Sequence, residues 1–421
     1  MGAKYLFTKH GNGTSTQDRY SAPFGISNNN STESNCQYAI RTAGTFSRLS
    51  LDKASGTATN YAYILRVGGS SVNSNVAMTS TNGWYYDTTS SDSVSVGDLI
   101  SFLNTDDGAN GSWNHHLIMF EPDTWTTFHF GGRNRSAQDN TSTAYGTFDS
   151  IPADYLPTEA DAQHKVRTPG TARDFTFRCS ANAASADRTY TLRVNGADGN
   201  QSVTFGAGVT GAIRDTSNTD SLSDGDLVCY SVQGLTATDD VTAQFCGYEF
   251  DPTTDGQGDF FAGHSHNGTA VRDAGWGTPH YITPLSVGVP GAVESETTEA
   301  DQQIVVPFDC TASKLRLYVS ANSYASTATI TFRVDGSDTA LTFTISAAAT
   351  GWHEDATNEV TITDGDLVSV SIVGGTSGSL TIGAMDVTLT QDAGRIMSSL
   401  AGGGGLAGPG GIAGIHGGLA G

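Results

Sequence analysis

Lysine is almost missing from this 421-residue chain: only Lys4, Lys9, Lys53, Lys165 and Lys314 occur. Lys and Arg together number 21 against 43 acids, a formal net charge of −22. Such a polyanion repels phosphate backbones and anionic lipid, so no nucleic-acid partner is expected. No run approaches the roughly 18 apolar residues of a membrane span, so no membrane insertion is expected either. Cysteine is scarce, five in number and without a Cys-x-x-Cys pair, which excludes a zinc ribbon and a thioredoxin-type motif. Cys229 and Cys246 could pair across neighbouring strands; buried free thiols are the alternative. The N-terminus, Met-Gly-Ala-Lys-Tyr-Leu, lacks the apolar stretch of a signal peptide. No Gly-x-Ser-x-Gly elbow and no phosphate-binding Gly loop opening a helix is found, so no enzyme is expected and no catalytic residue is assigned.

What the chain does have is glycine, 51 residues, and one pattern written three times. Arg-Val-x-Gly, then Gly-x-x-x-Asp, then Gly-Asp-Leu occurs at Arg66, Asp87 and Asp98; at Arg193, Asp215 and Asp226; and at Arg333, Asp355 and Asp366. A Thr-Glu marker precedes each copy, at Thr32-Glu33, Thr158-Glu159 and Thr298-Glu299. Units of this length can each bury a core, so the repeat means tandem domains and not a solenoid. Within a copy the apolar residues alternate, as in Leu315, Leu317, Val319 and Ile330, Phe332, Val334. Alternation over short runs broken by Gly, Asn, Asp and Ser marks half-buried antiparallel strands. The expected fold is therefore all-β: three antiparallel sandwiches over residues 1–126, 127–257 and 258–392, then a Gly-rich tail, 393–421. Gly in Gly-Asp-Leu is expected to take positive φ, Asp to cap the turn, and Leu227 and Leu367 to enter a core.

The run "apolar-x-x-Gly-Asp-apolar-x-apolar" resembles the late hairpin of jelly-roll modules of the C1q/TNF-like type. It covers about 60 residues of each copy. The resemblance implies jelly-roll topology and assembly as trimers.

Several residues are candidates for binding. Asp215, Asp220, Asp224 and Asp226 crowd one stretch and offer hard oxygens, which makes Ca2+ the one cofactor suggested. His264 and His266 lie two apart, on one face of an extended strand; three copies round an axis could hold an octahedral ion. That pattern is similar to the His-x-His sites of phage fibres. Trp84, Trp276 and Trp352 lie in Gly-rich or turn-flanked segments and could stack on a sugar or pack between domains. In the tail, Gly recurs at 402, 405, 408, 411, 414 and 417. Such spacing gives an extended threefold helix one bare edge. Leu406, Pro409, Ile412, Ile415 and Leu419 lie between and predict an assembly or anchoring segment.

Repeated sandwiches, acidity, no export signal and a glycine-triplet end together resemble a structural protein of a tailed bacteriophage. The resemblance implies a virion location after synthesis in the host cytoplasm, a homotrimer, and contacts with other virion proteins. Head decoration, head fibre or spike is the first reading. The alternatives are a tail fibre or receptor-binding protein contacting a host surface glycan, and a secreted bacterial adhesin or carbohydrate-binding protein.

Overall fold

The computed structural model describes residues 5–10, 18–23, 31–56, 61–105, 111–124, 127–132, 142–148, 156, 158–233, 241–254, 256–262, 279–284, 297–374 and 378–391. These residues form 27 strands, three short 3-10 turns and no α-helix.

The first nine strands are β1 (Tyr5–His10), β2 (Arg19–Ser21), β3 (Tyr38–Ala39), β4 (Gly44–Gly56), β5 (Tyr61–Val67), β6 (Ser70–Met78), β7 (Gly83–Val94), β8 (Leu99–Thr105) and β9 (Gly111–Pro122). They build two antiparallel sheets, β1-β9-β4-β7 and β2-β8-β5-β6, with β3 also on β8. First strand beside last, with each sheet drawing on both ends of the sequence, is the double Greek key of a jelly roll. The second nine repeat it: β10 (Thr127–Gly132), β11 (Ala144–Gly146), β12 (His164–Lys165), β13 (Gly170–Asn182), β14 (Arg188–Val194), β15 (Ala197–Phe205), β16 (Gly211–Leu222), β17 (Leu227–Val232) and β18 (Val241–Pro252). The third nine are β19 (Gln257–Ala262), β20 (His280–Ile282), β21 (Ile304–Val305), β22 (Cys310–Asn322), β23 (Ala328–Val334), β24 (Ser337–Ile345), β25 (Gly351–Ile362), β26 (Leu367–Val373) and β27 (Leu380–Gln391). Both later sets pair in the same order as the first.

Period-two patterning explains each core. In β5, Tyr61, Tyr63 and Leu65 point inward; in β23, Ala328, Ile330 and Phe332 do. Each unit has its own apolar cluster, centred for example on Tyr63 and Phe102, on Phe177 and Tyr190, and on Leu317 and Ile330. Two-residue turns join β5 to β6 and its counterparts. Gly68-Gly69, Asn195-Gly196 and Asp335-Gly336 all take positive φ, as a hairpin turn matching strand twist requires.

The repeat residues have structural work. Gly97, Gly225 and Gly365 take φ of 95°, 96° and 99°. The carboxylates of Asp98, Asp226 and Asp366 accept from the amides of Ser95, Ser223 and Thr363 at 2.8, 2.7 and 2.7 Å. The Leu expectation needs correction. Leu99, Leu227 and Leu367 are half-buried, whereas Ile100, Val228 and Val368 are fully buried. The strand enters with its second residue facing the core.

The Thr-Glu marker and the Arg-Val marker meet. Glu33, Glu159 and Glu299 open the 3-10 turns and clamp Arg66, Arg193 and Arg333 bidentately through the Nε–Nη2 edge of each guanidinium. Tyr20, Tyr145 and Tyr281 lie under the same three guanidinium groups. The clamp ties the loop before β3, β12 or β21 to the end of β5, β14 or β23. A bidentate, charge-assisted pair fixes orientation as well as distance.

All five cysteines are buried and free, so Cys229 and Cys246 form no disulfide. Burial pushes the Cys179 thiol up to about 11 and the Cys310 thiol up to about 12. Thiolates are the reactive form, so a neutral thiol reagent should label none in the native protein. After denaturation without reductant it should label five per chain; fewer would reveal a disulfide.

Candidate functional site

The three units close on one another. Strand β3, β12 or β21 and the residues just after it lie against the four-stranded sheet of the next unit: first on second, second on third, third on first. Pairing registers define equivalent positions: Ser50, Thr176 and Arg316; Tyr86, Arg214 and Glu354; Leu117, Gly247 and Asp386. In each unit a register shift in β4, β13 or β22 surrounds one non-glycine residue with positive φ: Arg48, Asp174 and Lys314. A bulge of this kind redirects a side chain, and all three of these charged residues stand at a seam.

The seam between the second and third units is a buried ionic network. His164 Nδ1 and Asp386 Oδ1 are 2.8 Å apart, and both side chains are fully buried. Arg316, also fully buried, lies 3.1 Å from Asp259 and 3.6 Å from Asp386. Its Nε–H donates to the Lys165 carbonyl, and Nη1 donates to the Lys314 carbonyl and Thr388 Oγ1. Asp259 also accepts from the Arg167 and Thr168 amides. Burial raises the Asp259 pKa, but Arg316, Thr388 and those amides outweigh it and hold the carboxyl below its usual range. Nearer the surface, Arg167 joins Glu354 and Asp224, and Lys165 joins Glu354. Every charge taken from water here has a counter-charge or several donors, the condition under which buried ions persist.

The other two seams use different chemistry. Between the first and second units, Thr42 Oγ1 donates to Glu249 Oε1 at 3.1 Å and Arg178 donates to the Ser34 carbonyl, while on the second unit's side Arg214 forks onto Asp174 of its own sheet. Glu249 is buried beside Asp174; burial first, then that neighbour, raises its pKa. Between the third and first units the contact is apolar. Leu117 and Met119 leave their own core, kept by Ile118 and Phe120, and join Ile304, Val305 and Phe308 of the third unit. Arg48 pairs with Asp364 at the rim.

The candidate residues fall out as follows. Asp215 accepts from the Ser202, Ser217 and Asn218 amides, and Asp220 from those of Asn200 and Gln201. Asp224 pairs with Arg167 and Lys314, and Asp226 caps its turn and takes the Asn195 side-chain amide. Their lone pairs thus face nitrogen donors, and among the described residues no three metal-ligating side chains converge. Trp84 packs against the apolar cluster that Leu117 and Met119 share with the third unit, and Trp352 lies 5.5 Å from the Tyr318 ring, whose hydroxyl reaches Asp161 of the second unit. Both indoles are therefore at seams. His264, His266, Trp276 and the tail residues Leu406, Pro409, Ile412, Ile415 and Leu419 lie outside the described residues. The sequence reading missed Arg316, Asp386, Asp259 and the Glu–Arg clamps. Their signal was present: at seam positions residue type changes between copies, whereas the clamp pairs recur 33, 34 and 34 residues apart.

No known family profile and no curated protein matches the chain. Among solved structures it is similar to dimeric latent PorU from Porphyromonas gingivalis at 9% identity and a TM-score of 0.22. That match covers 80% of this chain and 33% of PorU, so the chain spans about a third of that protein's length. It is also similar to the insecticidal delta-endotoxin Cry8Ea1 from Bacillus thuringiensis at 10% identity and a TM-score of 0.18, covering 91% of this chain and 61% of the toxin. Likenesses this slight carry no functional argument.

Proposed function

We propose that the protein is a non-enzymatic structural component of a virion surface, such as a head decoration, head fibre or spike of a tailed bacteriophage. The observation that supports this reading most is the ring of three jelly rolls closed within one chain. A body of this kind presents a broad, acidic, soluble outer surface, and its seam chemistry serves cohesion. Residues 393–421, with their glycine triplets, supply the attachment.

The test is a truncation. Removing 393–421 is expected to leave the melting temperature of the three units unchanged and to abolish incorporation into particles, read by mass spectrometry of purified virions. Incorporation at full occupancy without the tail overturns the anchor, and absence of the intact protein from purified particles overturns the virion reading. Mass photometry reads the oligomer. One chain of 43.8 kDa is expected, because the threefold arrangement that three copies would provide is already held in one. A mass of three chains would instead support the homotrimer expected from the sequence.

A further inference from the structure

The seam between the third and first units holds a cavity of about 150 Å³, lined among others by Arg48, Tyr86, Thr88, Val305, Pro307 and Asp364. Equivalent positions explain why space opens here. Position 307 corresponds to Arg41 and Arg167, the latter filling its seam by pairing with Glu354. Here it is Pro307, short and without a donor. Position 86 corresponds to Arg214 and Glu354, both tied up in ion pairs. Here it is Tyr86, which is 51% exposed. The two long charged groups that occupy the second seam are replaced by a ring and a pyrrolidine.

We propose that this cavity is a saccharide subsite that takes one pyranose ring. The walls divide as a sugar requires. Val305 and Pro307 close the inner wall with apolar surface. Tyr86 offers an aromatic face on which the C–H side of a pyranose stacks. That ring is held in place: Trp84 stacks on it at 6.1 Å and 18°, and Trp84 is itself packed against the apolar cluster that Leu117 and Met119 share with the third unit. A platform fixed before binding loses little freedom on binding. At the rim, Arg48 and Asp364 lie side by side, with side-chain exposures of 37% and 40%. Together they present donors and acceptors to adjacent hydroxyls, and Thr88 adds a third polar group. The positive φ of Arg48 holds the guanidinium out of its own sheet and over the seam. Sequence reading placed sugar binding on Trp84; the geometry moves the contact to Tyr86 and makes the indole its support.

The subsite is a property of the chain alone and stands apart from the virion proposal, which is read on particles. Saturation-transfer NMR on the full-length protein, with a panel of neutral, amino, deoxy and acidic monosaccharides at millimolar concentration, tests it. At least one is expected to receive saturation through its ring C–H protons. Tyr86→Ala should weaken that ligand about tenfold, and Tyr86→Phe should keep it. Val373→Ser, at an exposed site away from the cavity, should leave binding unchanged. No transfer to any sugar overturns the proposal. So does an affinity that Tyr86→Ala leaves unchanged in a folded variant, or occupancy by apolar fragments alone.

Discussion

Arg316→Leu is expected to cost the protein about 3–5 kcal/mol, among the largest losses any single substitution here should produce. The leucine fills comparable apolar space but leaves Asp259 and Asp386 buried without the cation that lies 3.1 and 3.6 Å away. It also removes the donors that satisfy the Lys165 and Lys314 carbonyls. Arg316→Lys should recover only part of the loss, because a point ammonium cannot reach five partners at once. The measurement is the chemical-denaturation midpoint of the full chain. A shift under about 1 kcal/mol, the range of exposed pairs, would mean that water reaches this network. Thr176 and Ser50, at the same register position, provide the contrast: Thr176→Leu and Ser50→Leu leave no buried charge behind.

Asp355→Ala is expected to cost roughly 3 kcal/mol near pH 7 and little near pH 2. The carboxylate accepts from the Thr342, Thr357 and Asn358 amides at 3.0 Å each, and from the Asn358 side chain at 2.9 Å. Burial pushes its pKa up, yet these donors hold it at about 2, against 3.8 for an ordinary Asp. A folded pKa below the unfolded one contributes stability above about pH 4, which is lost as pH falls toward the folded value. Asp87 and Asp215 hold the equivalent sites and are lowered for the same reasons. All three units should therefore weaken together on acidification. Glu249 works in the opposite sense. Its raised pKa contributes stability in acid that is lost as pH rises through the folded value, so Glu249→Gln should stabilise the protein at neutral pH. Melting curves from about pH 2 to 7 read both effects; an Asp355→Ala deficit that persists unchanged into acid would remove the carboxylate from the explanation.

The strands and turns could be read from the sequence because they rest on local rules. Leu315, Leu317 and Val319 alternate whatever surrounds them, and Gly-Asp at a turn caps it with its own atoms. The seams could not be read that way. Arg167 and Pro307 look alike as loop residues until their partners from another unit are known. The Asp-rich stretch of the second unit shows the limit most plainly. Asp215 and Asp220 have the composition of a calcium loop, but their oxygens meet backbone amides, and composition does not distinguish the two. The half-buried Leu227 misled for a smaller reason: one residue of strand phase decides which side chain enters the core.

Leu117 and Met119 belong by sequence to one unit and by packing to another, and this makes the chain indivisible in practice. A fragment ending at residue 257 would hold two complete jelly rolls, yet it would expose the apolar stripe that the third unit covers and strip Asp386 from His164 and Glu354 from Arg167. Such a fragment should be adhesive, not inert. The full chain should melt in one calorimetric transition, and single jelly rolls cut from it are poor reagents for dissecting what the whole protein does.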